Sequence, residues 1–380
     1  MKVLMLNYEF PPIGGGAGNA HLQLLKQYAG NNQLNIDVLT SAPQPGIFTE
    51  QFSANINICK VGIHKKQLHY WRKTEVIEWL VKAKRQYRRM ITGAAYDLAH
   101  AFFGFPTGYL CRGTAKTLPY IISLRGSDVP GANVRLKLDY KVLAPLFKDI
   151  WRGADKLIAC SEGLKERALR FLPEAQIQVI PNGVDLERFR PAEKRTSASD
   201  VIRLVTVGRL SATKRIEILI EAVEILLKLK KSVRLRIVGG GSQQVRLRKI
   251  IAEKDLTDAV EMTGRLDSDD MPQVYRNSDI YISATMQEGM SNAMLEAMAS
   301  GLPIITTECE GLTELVANNG IIVEKADGRS LAEAVQTFMD DNSVYEKMRE
   351  AARKRAKEFG WKHVGRQYIH CYEQVAAATS

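Results

Sequence analysis

The chain has 380 residues and carries 53 Lys and Arg against 42 Asp and Glu, a formal net charge of +11. Its length exceeds one ordinary domain and its 45% apolar content is that of a globular chain, so two packed domains are expected and a disordered or fibrous protein is excluded. No apolar run reaches the roughly 20 residues that cross a bilayer, and Cys59, Cys111, Cys160, Cys309 and Cys371 are dispersed without metal or redox spacing, which suits a reducing cytoplasm.

The N-terminal run Met1–Asn7 is too short for a signal peptide and reads as a first buried strand. Further strand-like runs follow at 35–41, 56–63, 97–101, 119–125, 156–160 and 177–180, with helical patterns at 18–29, 75–92, 138–151 and 162–171. This alternation is that of a parallel sheet with helices on both faces. Pro181-Asn182-Gly183 through Pro191, then Thr196–Asp200, is polar and turn-rich and marks a domain boundary. The pattern then restarts, with strands at 202–207, 233–238, 259–263, 279–284, 303–306 and 320–323 and helices at 214–230, 242–254, 270–276, 292–299, 328–338 and 343–358. The expected fold class is α/β, two tandem Rossmann-like doubly wound domains. Ligands of such sheets sit beyond the carboxyl ends of the strands, so two facing domains would enclose a cleft there.

The most informative segment is Glu288-Gly289-Met290-Ser291-Asn292-Ala293-Met294-Leu295-Glu296. Ser291 or Asn292 can cap a short apolar helix that Gly301 and Pro303 stop. The free N–H groups at its start form an anion seat, and a carboxylate lies on either side of it. That arrangement suits a nucleotide diphosphate bearing ribose at one end and a donor sugar at the other. The alternative is an internal ion pair for Glu296 and a plain loop position for Glu288. Three further segments stand at strand ends. Gly14-Gly15-Gly16 follows the first strand and lets backbone approach a phosphate or sugar, although His21 rules out the dinucleotide fingerprint. Arg209 and Lys214 in Gly208-Arg209-Leu210-Ser211-Ala212-Thr213-Lys214 could neutralise a diphosphate. His100 ends Tyr96-Asp97-Leu98-Ala99-His100 and would sit over the cleft, unless it is structural. Asp267-Ser268-Asp269-Asp270 mimics an Asp-x-Asp manganese site but precedes a helix, so capping is the better reading.

The charge is unevenly spread: residues 1–190 hold 26 Lys/Arg against 15 Asp/Glu, and residues 191–380 hold 27 of each. The densest part is 60–90, where Lys60, Lys65, Lys66, Arg72, Lys73, Lys82, Lys84, Arg85, Arg88 and Arg89 are interleaved with Tyr70, Trp71, Trp79 and Tyr87. A basic helix with aromatics can lie on an anionic membrane; the other reading is a solvated helix face over ordinary core aromatics. No nucleic-acid motif is present, so no nucleic-acid partner is expected.

Taken together, the Glu-x7-Glu segment at 288–296, the Gly-Arg-Leu-x-x-x-Lys segment at 208–214, the Pro-Pro-x-x-Gly-Gly loop at 11–16 and Pro181-Asn182-Gly183-Val184-Asp185 resemble glycosyltransferase family 4, the retaining enzymes of the GT-B fold. The resemblance spans nearly the whole chain. It implies an acceptor domain of residues 1–190 joined by a returning helix at 362–380, and a donor domain of residues 191–361. It implies that Glu296 binds ribose, that Glu288 contacts the donor sugar, and that Arg209, Lys214 and backbone N–H groups near Gly289, Met290, Ser291 and Asn292 hold the diphosphate. Gly15 and Gly16 would lie near phosphates and acceptor, Arg265 and Leu266 would border the base, and His100 would take the family's active-site histidine position. Two departures stand out: Phe102 where many relatives have a second histidine, and Arg215 where many have glycine. Ser123–Asp128 resembles a segment of bacterial relatives that build surface polysaccharides.

The expected activity is hexosyl transfer, with retention, from a UDP- or GDP-sugar to a hydroxyl of a glycan or lipid-linked acceptor, with no cofactor and no metal. The chain is expected in the cytoplasm, with peripheral contact to the membrane through 60–90. The alternatives are a sugar-nucleotide epimerase or phosphorylase on the same scaffold, and a binding subunit that has lost activity.

Overall fold

Strand β1 (Lys2–Leu6) is apolar at every position but the first, and it lies in parallel register between two neighbours, so both of its faces are buried. The same logic builds the sheet around it. The neighbours are β2 (Asn35–Ala42), β3 (Gly46–Ser53), β4 (Ile56–Gly62), β5 (Leu98–Phe102), β6 (Tyr120–Leu124), β7 (Lys156–Ala159) and β8 (Ile177–Val179), in the order β3-β4-β2-β1-β5-β6-β7-β8. All pairs are parallel except β3 with β4. The connecting helices are α1 (Gly16–Tyr28), α2 (Lys73–Gly93), α3 (Thr107–Arg112), α4 (Lys137–Val142), α5 (Ala144–Arg152) and α6 (Glu162–Phe171). The computed structural model describes residues 1–131, 137–192, 201–286 and 288–379.

A second sheet has the order β11-β10-β9-β12-β13-β14 and is wholly parallel. It comprises β9 (Ile202–Val207), β10 (Val233–Val238), β11 (Val260–Gly264), β12 (Ile280–Ser283), β13 (Ile304–Thr307) and β14 (Gly320–Val323). Its helices are α7 (Ile216–Lys228), α8 (Gln244–Glu253), α9 (Met271–Arg276), α10 (Asn292–Ala299), α11 (Gly328–Asp340) and α12 (Asn342–Ala356). Helix α7 buries Ile216, Leu219, Ile220, Val223 and Leu226, the i, i+3, i+4, i+7 stripe of a core-facing helix. A C-terminal helix, Trp361–Thr379, completes the chain.

The chain divides into two compact units, Met1–Asn182 together with the chain from Trp361 onward, and Gly183–Gly360. Residues 183–190, which the family resemblance assigns to the first domain, pack with the second unit. The Val184 N–H donates to the Phe359 carbonyl (2.8 Å), Arg353 donates to the carbonyls of Leu186 (3.0 Å) and Phe189 (2.9 Å), and Phe189 meets the Tyr275 ring edge-on. The turn-rich stretch 196–200 lies outside the described residues. In the first unit the C-terminal helix packs on α1, where the Tyr28 hydroxyl donates to the Gly365 carbonyl (3.0 Å).

Three elements differ from the sequence pattern. Strand β3 pairs antiparallel at the sheet edge with most of its side chains in water, so it has no apolar face to announce it. Helix α3 is too short for a periodic signal. The single helix expected over 138–151 is two, because Pro145 in the first turn of α5 has no N–H with which to continue α4. No helix among the described residues is long and apolar enough to cross a membrane.

Leu226 is fully buried in the core of the second unit. Leu226→Ala is expected to lower its unfolding free energy by about 2–5 kcal/mol, measured as a reduced denaturant midpoint in chemical unfolding.

Candidate functional site

The carboxyl edge of the second sheet collects most of the residues singled out in the sequence. The β9 and β10 loops meet there backbone to backbone. A Cβ on Gly239 would fall 1.9 Å from the Gly208 carbonyl oxygen, and one on Gly241 would fall 2.4 Å from that of Leu210. Only glycine permits this approach, and hydrogen bonds from Gly208 N to Val238 O (3.0 Å) and from Leu210 N to Gly240 O (3.1 Å) lock it. The sequence reading passed over Gly239–Gly241. Their signal was a glycine run directly after a buried strand.

The clamped loop presents Arg209 and Lys214, which line a small pocket with Gly208, Val238, Tyr281 and Ser283. Arg209 is exposed and has no ion pair among the described residues. Lys214 Nζ is ion-paired with Glu288. The structure therefore brings Lys214 and Glu288 into direct contact, a pairing that the spacing did not foretell.

Arg215 explains its own departure from glycine. Its φ of 46° lies in the left-handed region, which costs a non-glycine residue about 1–2 kcal/mol. Its guanidinium offsets this by donating from Nε to the Ala284 carbonyl (2.6 Å) and from a terminal nitrogen to Thr307 Oγ1 (3.0 Å). The side chain thus ties the β9 loop to the ends of β12 and β13.

Helix α10 begins as expected, with Ser291 Oγ accepting from the Met294 N–H at 3.3 Å. Gly289 is gripped from behind: a Cβ on Gly311, whose φ is +74°, would fall 2.3 Å from the Gly289 carbonyl oxygen. The Met290 side chain is buried, so that residue can offer a ligand only its backbone. Glu296 accepts a hydrogen bond from the Tyr275 hydroxyl (2.8 Å) rather than forming an internal ion pair. Burial raises its carboxyl to about 7, against the hydrogen bond from Tyr275 and the positive charge of Arg188, which lower it. Tyr281 lies close to both carboxylates. Its phenol is pushed up by burial first, then by the charge of Glu288, while its bond to Ser291 acts in the opposite direction. The sequence reading did not single out either tyrosine. Burial and Glu288 raise the Cys309 thiol to about 11, so it is not a ready thiolate.

Arg265 and Leu266 follow β11 at the same edge, where the Gly264 carbonyl accepts from Gly239 N (2.7 Å) and the Arg265 side chain runs beside Gly240. The capping expected of Asp267–Asp270 is not made, since neither Asp267 nor Asp270 forms a side-chain cap bond. Asp269 pairs with Arg188 instead (3.0 Å).

In the first unit, Gly15 caps α1. The loop before it is held by Gly14 N to Leu68 O (2.8 Å) and by His69 Nδ1 donating to Gly14 O (2.5 Å). His100 is a correction. It is 0% exposed, and both ring nitrogens are used within the unit: Tyr372 Oη lies 2.8 Å from Nδ1 and Ser123 Oγ lies 2.8 Å from Nε2. Ser123 donates onward to Tyr368 Oη (3.3 Å), so it accepts from Nε2–H, and Nδ1 accepts from the Tyr372 hydroxyl. Burial holds the imidazole well below its usual pKa. A neutral ring with no free nitrogen, covered by the C-terminal helix, cannot contact a substrate. Phe102, two residues on, is also buried; it stacks on His21 with ring centroids 4.1 Å apart and carries the Arg125 guanidinium at 4.7 Å.

Two family models match consecutive parts of the chain: Glycosyltransferase Family 4 over residues 14–188 and Glycosyl transferases group 1 over residues 188–355. The chain belongs to glycosyltransferase family 4. Among relatives, the putative colanic acid biosynthesis glycosyltransferase WcaL of Escherichia coli is 26% identical over 80% of this chain and 78% of its own. Sucrose-phosphate synthase from Thermosynechococcus elongatus has the same fold, with a TM-score of 0.83 at 21% identity over 99% of both chains. The Anabaena protein HepE, solved with UDP-glucose, superposes with a TM-score of 0.74 at 19% identity over 98% of this chain and 100% of that one. The fold of this glycosyltransferase is therefore GT-B.

The raised Glu296 carboxyl has a consequence for stability. Its folded value of about 7 exceeds its ordinary value of 4.5, so its contribution is full below the lower value and is lost as pH rises through the higher one. Glu296→Gln, which keeps a partner for Tyr275, is expected to match the wild type near pH 4.5 and to be more stable by roughly 1–3 kcal/mol at pH 8. Denaturant unfolding at the two pH values reads the difference.

Proposed function

We propose that this glycosyltransferase moves a hexosyl group from a nucleotide diphosphate sugar to a hydroxyl of a glycan or lipid-linked acceptor, with retention at the anomeric carbon and without a metal. The observation that carries the reading is the convergence of Arg209, Lys214, Glu288, the Ser291 helix start and Glu296 on one sheet edge of the second unit. When the glycosidic bond to the diphosphate breaks, its electron pair and negative charge go to the phosphate oxygen. Arg209, Lys214 and the α10 N–H groups are cationic or dipolar donors that stabilise this charge. The diphosphate takes Lys214 away from Glu288, which frees that carboxylate to accept from donor-sugar hydroxyls. Glu296 accepts from the ribose hydroxyls, with Arg265 and Leu266 beside the base. Gly15 and Gly16 serve the acceptor side in the first unit. The likeness to WcaL supports an acceptor in surface-polysaccharide synthesis.

Product analysis with UDP- and GDP-sugars and a lipid-linked glycan acceptor, with and without chelator, tests the reading. Transfer that survives chelation supports it; hydrolysis or epimerisation alone overturns it. Lys214→Ala and Arg209→Ala are each expected to reduce kcat by about 10²–10³, and an unchanged kcat in folded variants would refute the phosphate assignment.

The ribose role carries its own pH signature. Nucleotide-sugar affinity should rise by about tenfold from pH 6 to pH 8 as a group titrating near 7 ionises. Glu296→Gln should abolish this dependence, which titration calorimetry at several pH values checks.

A further inference from the structure

The tertiary structure sorts the charges of segment 60–90. Lys60 pairs with Glu50 (2.7 Å), Lys65 is buried against Glu75 (2.6 Å), Lys73 pairs with Asp139 (2.7 Å) and Lys82 pairs with Glu78 (2.6 Å). Trp79 and Tyr87 face the core. On α2 itself, Lys84, Arg85, Arg88 and Arg89 are exposed and form no ion pair among the described residues. Ile77 and Val81 stand on the same outward stripe at i, i+4 spacing, and they are 57% and 67% exposed. Next to this stripe, Lys84 and Arg88 line a pocket of about 280 Å³ with Tyr109, Arg112, Thr114 and Leu146. Of these cations only Arg112 is neutralised, by Asp149 (3.0 Å).

We infer that this face of α2 seats the first unit on an anionic bilayer, with the pocket between α2, α3 and α5 taking a lipid headgroup phosphate. The cations meet the negative surface, and Ile77 and Val81 enter the boundary with the acyl chains. The two exposed aliphatic side chains decide the partner class. A nucleic-acid backbone offers them nothing to pack against, whereas a bilayer interface does. With no spanning helix among the described residues, the contact is peripheral.

The test needs no sugar donor, so it fails or succeeds apart from the transferase reading. The full chain is sedimented at low salt with phosphatidylcholine vesicles, with and without phosphatidylglycerol. Binding is expected only where phosphatidylglycerol is present. Lys84→Gln combined with Arg88→Gln should weaken it about 30-fold, from about 1 kcal/mol per cation. Val81→Ser, which leaves the charge unchanged, should weaken it several-fold, whereas Arg248→Gln with Lys249→Gln on α8 should leave it unaltered. Matching unfolding curves confirm that each variant is folded. Equal binding by the α2 double variant and the wild type overturns the proposal. So does an unaltered Val81→Ser variant whose vesicle binding inorganic pyrophosphate abolishes, which would mark a site for soluble phosphates. Binding to an RNA oligonucleotide without binding to vesicles overturns it as well.

Discussion

The approach of Gly239 and Gly241 to the carbonyls of Gly208 and Leu210 is the constraint on which the candidate site depends. Two loops that leave adjacent parallel strands would ordinarily be held apart by side chains. Without Cβ atoms they share backbone hydrogen bonds, which anchor the β9 loop that carries Arg209 and Lys214. Arg215 extends the same tie to β12 and β13. The backbone from which both cations project is thus tied down by the glycine contact and by a neighbouring guanidinium.

Burial sets the protonation of the groups that matter. Glu296 is raised because its low-dielectric surroundings disfavour the anion more than one tyrosine hydroxyl and the charge of Arg188 favour it. In the first unit burial has the opposite sign on imidazole: His21 falls to about 3 and His100 also falls well below its usual value, so both rings are neutral at physiological pH. His100 then spends both nitrogens on tyrosine and serine hydroxyls. Its place on a strand end in the sequence was compatible with a catalytic role, but its contacts belong to the layer between sheet and C-terminal helix. Burial therefore yields a tunable carboxylate in one unit and a structural hydrogen-bonding node in the other.

Net charge behaves in a similar way. An excess of cations in a sequence segment says little until their partners are known. Four of the cations between residues 60 and 90 are committed to carboxylates, one of them in the core. Of the aromatics that made the segment look like a membrane helix, Trp79 and Tyr87 are core residues, whereas Tyr70 is exposed. The exposed face of α2 is basic and aliphatic instead.

The sequence by itself determined the alternation of strands and helices, the two-domain division and the family. Each of these rests on local apolar periodicity and on short motifs whose residues are near neighbours along the chain. It also placed Ser291 at the start of α10, Glu296 within that helix, and Arg209 and Lys214 between β9 and α7. Contacts between residues distant in the chain were decided only by the tertiary structure: Lys214 with Glu288, Tyr275 with Glu296, His100 with Tyr372, and the glycine contact between the β9 and β10 loops. The exposed edge strand β3 and the assignment of residues 183–190 to the second unit belong with them. The physical reason is common to all. Ion pairing, burial and backbone contact depend on what the fold brings next to a residue, and periodicity reports only which way that residue faces.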